Sequence, residues 1–200
     1  MATTTKTTKP GRPKNRSGGQ APALTAEQVK AFLYVVSQHD NAPRNLAFVA
    51  LLLCGCRVSE PLTITRRSVL TSKGQVADSF VLGAANTKSK QARRVYLNDT
   101  ARKHMTAWLA AMTDKSDGAV VFDLTANYAT TLVAKLMKAA GIVGSSHSLR
   151  RTCATTLADA GVGVHVIKEL LGHANLQTTA IYLSASTSNV AKAINNNLAW

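Results

Sequence analysis

Four stretches of this sequence carry side chains whose types and spacing suit anion chemistry. Arg57 and Glu60 stand three residues apart in Gly55-Cys56-Arg57-Val58-Ser59-Glu60. On one helical turn the carboxylate would hold the guanidinium in place, although an ordinary exposed helix-start pair has the same spacing. His147 and Arg150 repeat that interval in His147-Ser148-Leu149-Arg150. At the opening of a helix both can point toward one anion, where backbone N–H groups already favour negative charge. His173 follows Leu171-Gly172, and Tyr182 comes nine positions later. Gly172 lets the chain turn sharply, which leaves His173 at a helix end rather than inside it. A phenol with an unperturbed pKa of about 10 attacks only after a base takes its proton. Taken alone, such a tyrosine also reads as a core or interface residue.

The elements that must position these groups are legible from periodicity. Thr25 and Gln28 form a capping-box pattern ahead of Val29, Phe32, Leu33 and Val36, so the first helix starts there. Residues 44–54 are almost wholly apolar, which predicts a second helix at the centre of the domain. Residues 76–82 and 93–97 are short β-prone runs separated by a polar stretch, a pattern that predicts a β-hairpin. Helical patterns resume over residues 100–112, 128–140, 148–160 and 164–171, with Gly141, Gly161 and Gly172 as stop signals. The expected fold class is mainly α with a small antiparallel β-sheet (α+β).

Composition narrows the partner. The chain has 200 residues, 46% hydrophobic, and carries 24 Lys+Arg against 10 Asp+Glu, a formal net charge of +14. That excess points to a polyanion without choosing between DNA, RNA and an anionic membrane surface. No apolar window is long enough to span a bilayer, and no secretory signal is present, so a cytoplasmic protein is expected. Residues 1–22 form an expected flexible basic tail, and residues 23–200 the folded domain. Lys9 to Lys14 in the tail resembles the Gly-Arg-Pro core of an AT-hook, with Arg12 and Lys14 as DNA contacts; a solvated tail is the alternative. Cys54, Cys56 and Cys153 lack metal-site spacing and read as buried thiols. His39, His104 and His165 read as surface groups. There is neither a phosphate-binding glycine loop nor an acidic cluster of the kind that holds Mg²⁺, so no cofactor and no metal are expected.

In chain order, Arg57, His147 with Arg150, His173 and Tyr182 resemble the Arg, His-x-x-Arg, His and Tyr set of the tyrosine recombinases, over residues 25–186. The resemblance implies the catalytic-domain fold of that family and DNA strand exchange through a 3′-phosphotyrosyl intermediate. Tyr182 would be the nucleophile, His147 its proton acceptor, and His173 a hydrogen-bond donor to a phosphate oxygen. The segment 87–97 resembles the family's β-hairpin lysine region. Lys88 falls at the family position as proton donor to the leaving oxygen, and Lys90 is the runner-up. Lys90, Arg93 and Arg151 are expected DNA contacts.

Double-stranded DNA is the implied partner, bound near the nucleoid by a homo-oligomer, a tetramer on synapsed duplexes, with accessory bending proteins possible in principle. An apolar stripe of Val190, Ile194 and Leu198 predicts a terminal helix at about 188–200 that docks on a neighbour or on its own domain. Most family members carry a further helical domain before the catalytic one, and here only the basic tail is seen, as in the fimbrial phase-switching recombinases. Two alternatives stay open: DNA relaxation in the manner of a type IB topoisomerase, and a non-catalytic DNA-binding regulator.

Overall fold

A computed structural model describes residues 21–87, 91–173, 175 and 177–180. Helix α1 (Ala26–Ser37) begins at the expected capping box, with Gln28 N–H donating to Thr25 Oγ1 at 3.2 Å and Thr25 N–H to Gln28 Oε1 at 3.0 Å. Helix α2 (Ala42–Leu53) starts two residues earlier than its apolar run, because Pro43 supplies a preformed first turn. It is buried from Ala47 to Leu52 and packs against α1, α4 and α6. Those neighbours are α4 (Asp99–Ala111), capped by Asn98, and α6 (Ser146–Asp159), capped by Ser145. Helix α5 (Ala126–Ala139), capped by Thr125, closes the core against α1.

The main core runs through Phe32, Phe48, Leu51, Met105, Phe122 and Met137. Phe48 and Phe122 meet edge to face at 5.4 Å. A smaller cluster lies between α6 and α7 (Val164–Leu171), made of Ala154, Ala158, Ile167 and Leu171. Strands β1 (Ser79–Leu82) and β2 (Arg93–Tyr96) pair antiparallel, with Leu82 opposite Arg93 and Ser79 opposite Tyr96. The first strand is shorter than its β-prone run because Val76 bridges Leu70 instead.

Short elements without a periodic signal were not legible: α3 (Arg66–Val69), α8 (Gln177–Ala180) and 3₁₀ turns at Pro61–Thr63 and Ala84–Asn86. The mainly helical architecture with one small sheet is the expected class. No helix among the described residues is long and apolar enough to cross a membrane.

Candidate functional site

Two helices end at one place, and each ends on a glycine. Gly55 at φ +88° and Gly172 at φ +63° let α2 and α7 close with paired turn hydrogen bonds. Cys56 N–H reaches Leu51 O at 3.0 Å, and His173 N–H reaches Lys168 O at 3.1 Å. Such ends still leave the last carbonyls without helical partners and carry the negative pole of the helix. Three arginines from three different elements fill those positions. Arg150 of α6 donates to the carbonyls of Gly55 and Leu171. Arg93 of β2 donates to Leu170 O at 2.7 Å and Gly55 O at 3.3 Å, and Arg57 donates to Gly172 O at 3.2 Å.

One carboxylate sits among them. Glu60 is 1% exposed and accepts from Arg57 Nη1 at 2.8 Å, from the Arg57 backbone N–H at 2.6 Å and from Arg93 Nη2 at 2.5 Å. Burial pushes its pKa up, but the hydrogen bond and charge of Arg93 and the bonds from Arg57 outweigh that and hold it below the usual carboxylate range. Glu60 therefore supports Arg57 as expected, from a tight turn closed by Glu60 N–H to Arg57 O at 3.0 Å instead of from an α-helix.

Arg150 is 6% exposed, and burial together with the charge of Arg57 lowers its pKa to about 10, so it keeps its charge at neutral pH. His173 is half-buried, and its pKa falls to about 4 through burial and the charges of Arg150, Arg57 and Arg93. Its Nδ1 lies 2.9 Å from Oγ1 of the buried Thr179, which fixes the ring. Three guanidinium charges against one carboxylate leave the seam electropositive, which suits an anionic ligand.

Structure and sequence agree in part. Arg57, Glu60, Arg150 and His173 converge, and His147 is exposed on the first turn of α6, one turn before Arg150. Arg151 is half-buried on the next position around that helix. Arg93 departs from its expected role: it is 7% exposed, and its guanidinium faces Glu60 and carbonyls of the seam, not an open DNA surface. Strand alternation was the signal for this, since Arg93 shares its face with the buried Val95 and Leu97. Sequence reasoning also had no signal for the carbonyl acceptors or for Thr179. Arg12, Lys14, Lys88, Lys90, Tyr182 and the 188–200 segment lie outside the described residues.

On either side of residues 88–90, Thr87 Oγ1 donates to Gln91 O at 2.8 Å. A groove of about 710 Å³ between β2 and α7 is lined by Arg94, Tyr96, Lys168 and His173 among others. A second hollow of about 890 Å³, lined by Arg66, Arg102, Lys103 and Lys115, shares no residue with the seam. The thiols are buried or half-buried as expected; burial raises Cys56 to about 12 and Cys153 to about 11. His39 and His165 are exposed, whereas His104 is half-buried.

Residues 22–189 match the profile described as the phage integrase family. A tyrosine recombinase XerA of Thermococcus kodakarensis is 32% identical over 179 residues, covering 86% of this chain and 61% of the relative. The chain thus spans about three fifths of that relative's length. Among solved structures, the catalytic domain of the bacteriophage HP1 integrase superposes with a TM-score of 0.64 at 24% identity, covering 89% of this chain and 96% of that one. The Tn1549 transposon integrase, solved in complex with transposon right end DNA, gives a TM-score of 0.73 at 17% identity over 94% of this chain and 69% of that one. These likenesses establish the tyrosine recombinase catalytic-domain fold.

Proposed function

The chain belongs to the phage integrase family, and on that premise we propose that it is a site-specific DNA recombinase acting on double-stranded DNA. The observation that carries this reading is the convergence of Arg57, Arg150 and His173 at one electropositive seam, with Glu60 holding Arg57. Attack on a phosphodiester spreads negative charge over its non-bridging oxygens, and preorganised forks of positive donors stabilise that charge. Each arginine is tied to the protein along part of its fork, so little reorganisation is needed when a phosphate arrives.

In the reaction, the Tyr182 oxygen forms a bond to phosphorus while the bond from phosphorus to the 5′ oxygen breaks. His147 accepts the tyrosine proton, and Lys88, with Lys90 as its rival, donates a proton to the departing 5′ oxygen. His173 contributes a hydrogen bond to a phosphate oxygen. The strand is left as a 3′-phosphotyrosyl ester, whose bond energy is conserved, so attack by a 5′ hydroxyl reseals DNA without an external energy source. Arg151 and the groove between β2 and α7 are assigned to DNA-backbone contact. We assign residues 23–200 to this catalytic domain, residues 1–22 to a basic DNA-binding tail, and the segment at about 188–200 to docking between subunits of a tetramer.

A duplex nicked beside the scissile phosphate tests the reading, because loss of the short fragment traps the covalent complex. The expected result is a protein–DNA adduct that disappears in Tyr182→Phe. A stable, specific DNA complex that never yields an adduct would place the chain among binders instead.

A further inference from the structure

Arg93 is the arginine of the seam with no assigned part in the chemistry, and its surroundings are those of a working group. It lies at the start of β2 yet bonds to the α2 exit loop through Gly55 O, to the α7 end through Leu170 O, and to Glu60 Oε2 at 2.5 Å. Its Nε is the buried side-chain polar atom left without a protein partner among the described residues. A buried unpaired donor costs roughly 1–3 kcal/mol. The guanidinium is thus turned toward the carboxylate at the expense of its own full satisfaction. The backbone makes room for it as well, since a Cβ on Gly172 would stand 2.8 Å from Arg93 Cδ.

We propose that Arg93 is a positioning residue for strand cleavage, holding the Glu60 carboxylate so that Glu60 in turn fixes Arg57 against the scissile phosphate. The proposal rests on the recombinase reading above. The geometry gives the chain of action. Oε2 of Glu60 is shared between Arg93 Nη2 and the Arg57 backbone N–H, while Oε1 holds Arg57 Nη1. With Arg93 gone, Glu60 would lose its shortest contact, and the carboxylate could rotate away from the Arg57 fork. Arg57 is 23% exposed, and among the described residues its fork is held by Glu60 on one side and by Gly172 O at 3.2 Å on the other, so loss of the carboxylate would leave it a single anchor. Lysine cannot replace Arg93, because one ammonium cannot span Glu60, Gly55 O and Leu170 O together.

The test is single-turnover cleavage of the nicked duplex by the full chain, comparing wild type, Arg93→Lys, Arg57→Lys and the double variant, with DNA affinity measured alongside. Misplacement by about 1 Å can cost about 10²-fold in rate. The expected result is a loss of that order in the cleavage rate of Arg93→Lys, with Kd changed by less than about 3-fold. The double variant should be no slower than Arg57→Lys, because Arg93 acts through Arg57. Multiplicative losses, or a loss confined to Kd, would overturn the proposal. The guanidinium nitrogen resonances of Arg57 give a readout that needs no turnover. They should be resolved in wild type and merged by rotation in Arg93→Lys at a temperature where both are folded. Unchanged Arg57 signals would overturn the positioning role even if cleavage is impaired. If wild type forms no adduct but those signals still merge in the variant, the recombinase reading fails while the Arg93–Glu60–Arg57 relay stands.

Discussion

The large core and the α6–α7 layer are held by different physics. Around α2, stability comes from apolar burial: Phe32, Phe48, Leu51, Leu52 and Phe122 are all fully inaccessible. Among the described residues, the α6–α7 layer buries Ala154, Ala158, Ile167 and Leu171 in its own cluster, with Leu157, Val162 and Leu170 half-covered. Leu149 ties α6 into the main core, whereas the end of α7 is also held by polar contacts, since Arg150, Arg93 and Arg57 stitch it to the end of α2 and to Glu60. The arginines that would serve catalysis thus also serve as fasteners. A site built at such a seam can be precise without being deeply buried in apolar surroundings.

The sharpest way to break the contrast is Glu60→Gln, which keeps the shape and removes the one negative charge among Arg57, Arg93 and Arg150. Breaking a buried pair from one side costs about 3–5 kcal/mol. Chemical denaturation should show a loss of that size, and α7 amides should lose protection first. A change below about 1 kcal/mol would mean that the seam is held by packing after all. Next in size is Arg150→Lys, which removes the fork that reaches both Gly55 O and Leu171 O. Adduct formation should slow by on the order of 10²–10³-fold, as for loss of a preorganised donor. Near-normal cleavage would detach Arg150 from the chemistry.

Two leucines compare the regions directly. Leu51 and Leu171 are each 0% exposed, one in the main core and one in the small cluster. Leu→Ala at either site removes about 2–5 kcal/mol of local packing. Native-state hydrogen exchange should distinguish them. Leu51→Ala should speed exchange everywhere through global unfolding, whereas Leu171→Ala should speed α7 amides while those of α2 stay protected. Equal effects on both helices would show that the molecule opens as one unit.

Acid should act on the seam before the core. His173 has a pKa of about 4 in the folded chain against an ordinary 6.5. The unfolded chain therefore takes up the proton first, and the His173 contribution is fully present above about 6.5 and lost as pH falls through about 4. Glu60, lowered from 4.5, contributes in the same sense: its share is present above its unfolded value and lost as pH falls through its folded one. Thermal melting should show stability declining from about pH 6.5 toward pH 4, and less steeply in His173→Gln. A phosphate beside His173 would favour the protonated ring, so DNA binding should take up protons in that window. An identical pH slope in the variant would remove His173 from the explanation.

The difference between the regions also explains what could be read from sequence. The core helices were legible because apolar periodicity and side-chain caps such as Thr25–Gln28 are local. The converging residues Arg57, Arg150 and His173 could be picked out because they occur in a recognisable order; His147, also in that order, is exposed one turn before Arg150. What escaped was the matching of donors to backbone acceptors. The carbonyls of Gly55, Leu170, Leu171 and Gly172 carry no residue signature, and Arg93 looked like a surface cation because its Lys- and Arg-rich neighbours do. Only the alternation of β2 separates Arg93 from Arg94, which is exposed and donates to Ser79 Oγ at 3.1 Å.

The smallest effect closes the comparison, because it holds distance constant and changes only the setting. Arg102 Nη2 lies 2.6 Å from Asp99 Oδ1, within 0.1 Å of the Arg93–Glu60 separation of 2.5 Å. The Asp99 side chain is 95% exposed, whereas that of Glu60 is 1% exposed. In water the attraction is screened, and the cost of ordering two side chains offsets most of it. Asp99 also stands in the first turn of α4, where a negative charge gains a little from the helix pole. Asp99→Asn should therefore shift Tm by less than about 2 °C and leave adduct formation unchanged. That small shift should shrink further in high salt, since an exposed pair is screened while the pair at Glu60 is not. If Asp99→Asn matched Glu60→Gln in either assay, proximity alone would set the strength of these pairs, and burial would lose its place as the cause of the difference.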